Sequence, residues 1–422
     1  MENKYGTNNI INIQEIGNVI TICRCDHPKC ASDFLRILQK KVGQGCEEFY
    51  IRSIAATVFP NACVPIRGII EYYKKQGKTF HFEISADSYL AKCFFEMPLN
   101  KSREELQNET QPFGKLFYYD NSGQVADITQ AYIDAISHQL VCGEGVLGGL
   151  SWCINEVMDN VLLHSESDNG FVMAQYHPSV KKVVFCIYDD GMGIYNSLME
   201  SHHKPATEMD AISLSLQEGV GDGKGQGNGL YGLYQIVHEN KGTLTITSGQ
   251  SSIMLNEKGE MKKYSFVPCI SAKHRGTIVD FQLDLTKKID LQEAFKSLGG
   301  YDDFDIRIDN MLNDDDYYVY NIINNCQGTG TRDSGERIRC DVENIIKRTN
   351  EGIILDFDGI KMVSSSFIDE FIAKLFIDLG FLRFNQLVRI INMEKDVRFL
   401  CERSLYMRIH NNWSDSRMRN ES

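Results

Sequence analysis

The sequence predicts an α+β protein built as an α/β sandwich in its middle with a smaller α/β unit on either side. Two observations predict this. From about Ile128 the helical periodicities QAYIDAISHQL and GGLSWCINEVMDNVLLHS precede the strand-like runs GFVMAQYH, KKVVFCIYD, GTLTITSG, KYSFV and GTIVDFQLDL. Helices first and antiparallel strands afterwards suit a helix layer packed on a sheet better than a doubly wound fold. On both sides of this block, by contrast, strand and helix alternate. The polar stretch NKSREELQNETQP and the aspartate-rich DDFDIRIDNMLNDDD mark the joints, giving expected domains of residues 1–125, 126–290 and 291–422.

In the first domain, NVITICRC and EFYIRSIAATVF read as strands around an amphipathic helix near Asp33 to Lys41. FPNACVPIRGIIEYYKKQG then reads as a turn and helix, and KTFHFEIS as a returning strand. In the last domain the order is YYVYNII, ERIRCDVENIIKR, GIILDFDGI, SFIDEFIAKLF, LVRII and a closing helix. The aspartate-rich joint lacks the glycine and spacing of a calcium loop and reads as a solvated linker.

At 422 residues the chain exceeds one ordinary core, and 42% apolar with 24% charged residues is a globular composition. A formal net charge of -13 speaks against nucleic acid as a partner, since phosphate binding relies on clustered lysine and arginine. No apolar run reaches the roughly 20 residues a membrane helix needs, and MENKYGTNNI has no signal-peptide pattern. Thirteen cysteines, mostly single and set in apolar stretches, suit reduced core thiols; a cytoplasmic protein is expected. Cys23, Cys25, His27 and Cys30 form the one cluster with zinc-ligand chemistry, but their spacing fits no pair of knuckles, and buried or loop thiols are the favoured reading.

Four elements of the middle domain carry candidate chemistry. Glu156 and Asn160 stand at i and i+4 on one helix face, where a carboxylate can activate water and an amide oxygen can complete a Mg²⁺ shell. KKVVFCIYD ends at Asp189, which can accept from an adenine amino group, while Gly191 and Gly193 let the backbone pass close to a base. GKGQGNGLYGLYQIV brings Gly225, Gly227 and Gly229 to a helix N-terminus suited to phosphates, with Leu230 beside them. It is no Walker A loop, because Glu218 stands where the first glycine belongs, and no strand precedes it as a dinucleotide fingerprint requires. Gly276 and Thr277 open the last strand, where the hydroxyl can reach a base directly or through water. The long polar stretch from Tyr195 to Asn228 reads as a loop and lid. Each element alone also has a bland reading as a solvent face, a tight turn or an ordinary strand residue.

Together, in this order, they resemble the motifs of the GHKL ATPases, the class shared by gyrases, large heat-shock chaperones, mismatch-repair ATPases and histidine kinases. The N box falls at Glu156–Asn160, the first glycine box at Asp189–Gly193, the second at Gly225–Gly229, and the Gly–Thr pair closes the set. The resemblance implies a helix layer on a mixed sheet, ATP and Mg²⁺ as cofactors, and Glu156 as general base. GIILDFDGIKMVSSSFIDEFIAKLF resembles a STAS-like domain, with Ser364, Ser365 and Ser366 in its turn. Ser364 and Phe367 replace that family's aspartate and glycine around the serine; Ser366 also reads as a helix cap, and a phosphate on it would sit near Asp369 and Glu370, whose like charges oppose it, which favours docking over phosphate acceptance. The first domain is loosely similar to the same α/β type. The resemblance implies a regulatory ATPase or kinase whose partner is a protein or its own STAS-like domain, with a homodimer as one open assembly. The alternative is a non-hydrolysing switch in which ATP only gates docking.

Overall fold

The computed structural model describes residues 11–164, 167, 169–217, 219–220, 229–291, 311, 317–326, 328–349 and 351–420. They fall into two compact units. The first holds the chain through Ala131 and again Cys153–Leu285; the second holds Tyr132–Trp152, Thr286–Asp290 and the described residues of Gly300–Ser422. Both α-helix and β-sheet are extensive, as an α+β class requires.

The first unit opens with a four-stranded sheet. β1 (Ile13–Ile16) and β2 (Val19–Ile22) form an antiparallel hairpin, and β3 (Glu48–Ser53) and β4 (Thr79–Glu83) extend it in parallel. Helix α1 (Pro28–Gly43) starts on a first-turn proline, with His27 Nδ1 accepting the Lys29 N–H at 3.1 Å. Helix α2 (Pro60–Lys75) is buried almost all round, from Ala62 and Val64 to Ile69 and Ile70. A helix apolar on every side is one covered on every side.

The cover comes from a second sheet. After the short helices α3 (Tyr89–Lys92) and α4 (Arg103–Gln107) come β5 (Leu116–Tyr119), the helices α5 (Ser122–Ser137) and α6 (Val146–His164), then β6 (Gly170–His177) and β7 (Lys182–Asp189). Next are α7 (Gly193–Glu200), α8 (Glu208–Ser215) and α9 (Gly229–Asn240). The hairpin β8 (Thr243–Ser248), β9 (Ser251–Leu255) and β10 (Met261–Ser265) and the late strand β11 (Thr277–Asp284) complete it. The strand order is β10-β9-β8-β11-β7-β6-β5 and every neighbouring pair is antiparallel. The resemblance implied a mixed sheet; the antiparallel order read directly from the residues is what forms.

One face of this sheet packs under α9, the other under α2. Phe171, Met173, Cys186 and Tyr188 therefore join the core of the first sheet, and β6 and β7 read as nearly unbroken apolar runs. Gly68 makes the approach of α2 feasible, since a Cβ there would lie 2.0 Å from the Tyr188 ring. Polar ties reinforce the packing: Asn61 Nδ2 donates to Asp280 at 2.9 Å, Gln175 Nε2 to the Val58 carbonyl at 2.7 Å, and Lys75 pairs with Asp190 at 3.1 Å.

The stretch from Tyr195 to Asn228 departs from its reading as a loop. Its first part forms α7 and α8, with the Thr207 hydroxyl accepting the Asp210 N–H at the start of α8. Glu208 then pairs with Arg275 and accepts the Gln250 N–H at 2.6 Å, fastening α8 beside the β8–β9 turn. Apolar Ala211 and Ile212 are buried there, a helical signal masked by the polar residues around it. Glu218 and residues 221–228, on which the lid expectation also rests, lie outside the described residues.

The second unit contains a parallel sheet of β12 (Tyr318–Asn321), β13 (Ile353–Asp356) and β14 (Val388–Ile391), in that order. Helices α10 (Ile322–Asn325) and α11 (Arg332–Thr349) follow β12. After β13 come α12 (Ser365–Ile368), a π-helical turn (Asp369–Ala373), α13 (Lys374–Leu379) and α14 (Phe381–Leu387), and α15 (Lys395–Asn420) closes the chain. The same unit holds the end of α5 and the start of α6, which Asn344 of α11 fastens. Its Nδ2 donates to the carbonyls of Ser137 and Leu140 at 3.3 and 3.1 Å, and its Oδ1 accepts the Cys142 N–H at 2.9 Å. Asn344→Ala removes all three bonds, two of them buried, and chemical denaturation should show a loss of about 2–4 kcal/mol. No described helix is long and apolar enough to cross a membrane.

Candidate functional site

Helix α6 carries Glu156 and Asn160 on one half-buried face, as their spacing predicts. Against this face lies Gly229, the first residue of α9. A Cβ on Gly229 would fall 2.7 Å from Glu156 Oε2 and 3.0 Å from Asn160 Nδ2. The structure thus brings the helix pair to the N-terminus of α9, whose first amides have no intrahelical acceptor and favour negative charge. Leu230 is half-buried in the same first turn. Gly225 and Gly227 lie outside the described residues.

A second cluster forms where β7 ends. Asp189 is 5% exposed, and the Gly191 N–H donates to its Oδ1 at 2.8 Å. Gly193 opens α7 at φ 76, and a Cβ there would lie 2.9 Å from Ser248 Oγ. Gly276, at φ 60, donates its N–H to the Gly191 carbonyl at 2.9 Å; a Cβ on it would be 2.7 Å from the Asp189 carbonyl oxygen. Thr277 stands directly opposite Asp189 across the β7–β11 ladder and opposite Ser248 across β8–β11. Ser248 Oγ accepts the Ile194 N–H at 2.9 Å and lies 3.5 Å from Thr277 Oγ1.

Burial pushes the Asp189 carboxyl up to about 7; the Gly191 N–H opposes this, the Asp190 charge adds to it, and bonds from Thr277 oppose it. Asp190 is held from two sides, by Ser167 Oγ at 2.6 Å and by Lys75 Nζ of α2. On the opposite face of the sheet, burial raises Asp280 to about 6 against the bond from Asn61. An acceptor poised near neutrality beside two glycine turns and a threonine has the donor and acceptor set to read a base edge. Ser248, Ser167, Asp190 and Lys75 escaped the sequence reading, because their roles arise from contacts far apart in the chain.

Cys25 and Cys30 are core residues, His27 spends Nδ1 on the cap of α1, and all thirteen cysteines are free thiols. Among the described residues no group of three or more His, Cys, Asp or Glu side chains is placed to hold a metal ion. In the C-terminal turn the cap is Ser364, not Ser366: its Oγ accepts the Phe367 N–H at 3.0 Å and lies 2.9 Å from Ser366 Oγ. Asp369 and Glu370, read from sequence as repelling a phosphate, are neutralised. Arg408 grips Asp369 through two bonds of 2.7 and 2.8 Å, and Glu370 pairs with Arg332, Arg339 and Lys374. The repulsion that disfavoured phosphate at this turn is therefore screened at its source, although the docking preference itself also drew on the altered residues Ser364 and Phe367.

No curated protein matches the chain. Among solved structures it is similar to one titled "Mycobacterial sensor histidine kinase MprB", at 19% identity over 40% of this chain and 97% of that one. The TM-score of that superposition is 0.23, too low to carry an argument. Residues 334–398 match the family described as "STAS-like domain of unknown function (DUF4325)", so the region running from α11 through β13 and β14 into α15 is a STAS-like domain.

Proposed function

We propose that the chain is an ATP-binding regulatory protein of the GHKL type. Asp189 and Thr277 read adenine, Gly191 and Gly193 shape the base pocket, and Gly225, Gly227, Gly229 and Leu230 line the phosphates. Asn160 completes the shell of a Mg²⁺ ion carried by ATP, and Glu156 orients the attacking water or protein group. The supporting observation is the approach of Gly229 to the Glu156–Asn160 pair, since it unites at one point three groups the reaction needs. The STAS-like domain is the output element, which docks a protein partner.

Isothermal titration should show Mg²⁺·ATP binding with at least about tenfold preference over GTP, because guanine presents a carbonyl where adenine offers the amino donor. Equal affinity for the two nucleotides removes Asp189 as base reader. Incubation with γ-labelled ATP then separates the chemistries. Free phosphate marks an ATPase and label on protein a kinase, whereas tight binding with neither identifies the ATP-gated switch.

A further inference from the structure

A row of side chains crosses the sheet at the level of Asp189. The ladders pair Tyr119 with Gly170, Asp189 with Thr277, and Thr277 with Ser248. The β6–β7 register, in which Phe171 faces Tyr188, puts Gly170 beside Asp189 one step further on. Directly paired antiparallel residues share a sheet face, so Tyr119 and Asp189 point to the same side. Between them is a glycine. The Tyr119 ring lies over it, because a Cβ on Gly170 would be 2.4 Å from Tyr119 Oη.

Tyr119 is completely buried, yet its hydroxyl has no hydrogen-bond partner among the described residues. A buried phenol normally finds one, and an unsatisfied hydroxyl at a candidate site marks a place for water or ligand. Besides burial, the charges that act on it are Asp189 on β7 and Asp159 on α6; all three raise its ionisation well above the ordinary phenol range. Tyr119 therefore stays neutral and keeps its proton to donate.

We propose that Tyr119 is a positioning residue of the base pocket, whose hydroxyl donates to the Asp189 carboxylate, through one buried water, when a purine occupies the site. In that state Asp189 accepts from Gly191 N–H, from the Tyr119-bound water and from the exocyclic amine of the base. The hydroxyl thus holds the carboxylate as an ionised acceptor, facing the purine. This rests on the nucleotide reading given above.

The test is a double-mutant cycle of Tyr119→Phe with Asp189→Asn, read by ATP titration and by the melting temperature of the nucleotide-free protein. Tyr119→Phe should weaken ATP binding about tenfold, the scale of one hydrogen bond to a charged group. The nucleotide-free variant should melt no lower than wild type, since the hydroxyl it loses has no protein partner. In the Asp189→Asn background the same change should have little effect on affinity. Wild-type affinity in Tyr119→Phe, with Asp189→Asn still impaired, overturns the role of Tyr119 and leaves the base site standing. A lower melting temperature with unchanged affinity assigns the hydroxyl to structure and overturns it as well. Failure of the wild-type protein to bind ATP overturns both readings together.

Discussion

Glu156→Ala should lower Mg²⁺·ATP turnover by about 10²–10⁴-fold while changing ATP affinity little, the pattern expected of a general base. On α6 the i,i+4 spacing puts Glu156 and Asn160 on one face. Gly229 meets both side chains, so the carboxylate sits beside the amides that begin α9. A water or hydroxyl nucleophile held by Glu156 would lie next to the phosphates those amides attract. The neighbour on the same face should behave differently. On the proposed reading Asn160→Ala should lose Mg²⁺-dependent binding, because an amide oxygen in the metal shell would serve the ground-state complex as well as the transition state. Phosphate release, titrated in both variants, separates the two roles. A Glu156→Ala protein that hydrolyses ATP at the wild-type rate reduces the residue to a helix-surface carboxylate.

How much of this was legible depended on whether the signal was local. The strands GFVMAQYH, KKVVFCIYD and GTLTITSG and the helix of Glu156 and Asn160 announced themselves by periodicity, and Gly193 and Gly276 by the backbone angles their turns demand. β5 and β9 went unread because LFYY and SSIML are short and show no clean alternation of buried and exposed positions. α7 and α8 hid inside a stretch whose overall polarity resembled a loop. The two-sided burial of β6 and β7 was written in their unbroken apolar runs, but only the placement of α2 gives those runs a meaning. Lys75–Asp190, Asn61–Asp280 and Arg408–Asp369 join residues far apart in the chain, and no spacing rule reports such pairs. The last of them reversed a charge argument, since Asp369 reads as a repelling carboxylate until its arginine is seen.

Asp189 should make ATP affinity rise with pH and nucleotide-free stability fall with pH across the same window. Burial raises its folded-state carboxyl to about 7, against an ordinary carboxyl near 4 in the unfolded chain. The unfolded state therefore ionises first. The stability this group contributes is complete below about pH 4 and is lost as pH climbs to about 7, a change of about 4 kcal/mol at most. Asp189→Asn removes the ionisation, so its melting temperature should gain on the wild type between about pH 4 and pH 7 and level off above that. On the proposed reading, base recognition needs the carboxylate, and between pH 6 and pH 8 its ionised fraction grows about tenfold. Wild-type ATP affinity should grow by a similar factor, while Asp189→Asn should bind weakly at every pH; comparing both proteins with the same nucleotide cancels the titration of the phosphates. Asp280 provides the control, because it too is raised, to about 6, but bonds to Asn61 on the other face of the sheet. Asp280→Asn should alter the pH dependence of melting and leave that of ATP affinity as it was. Wild-type affinity that stays flat from pH 6 to pH 8, together with unimpaired binding by Asp189→Asn, would falsify the assignment of this carboxylate to the base.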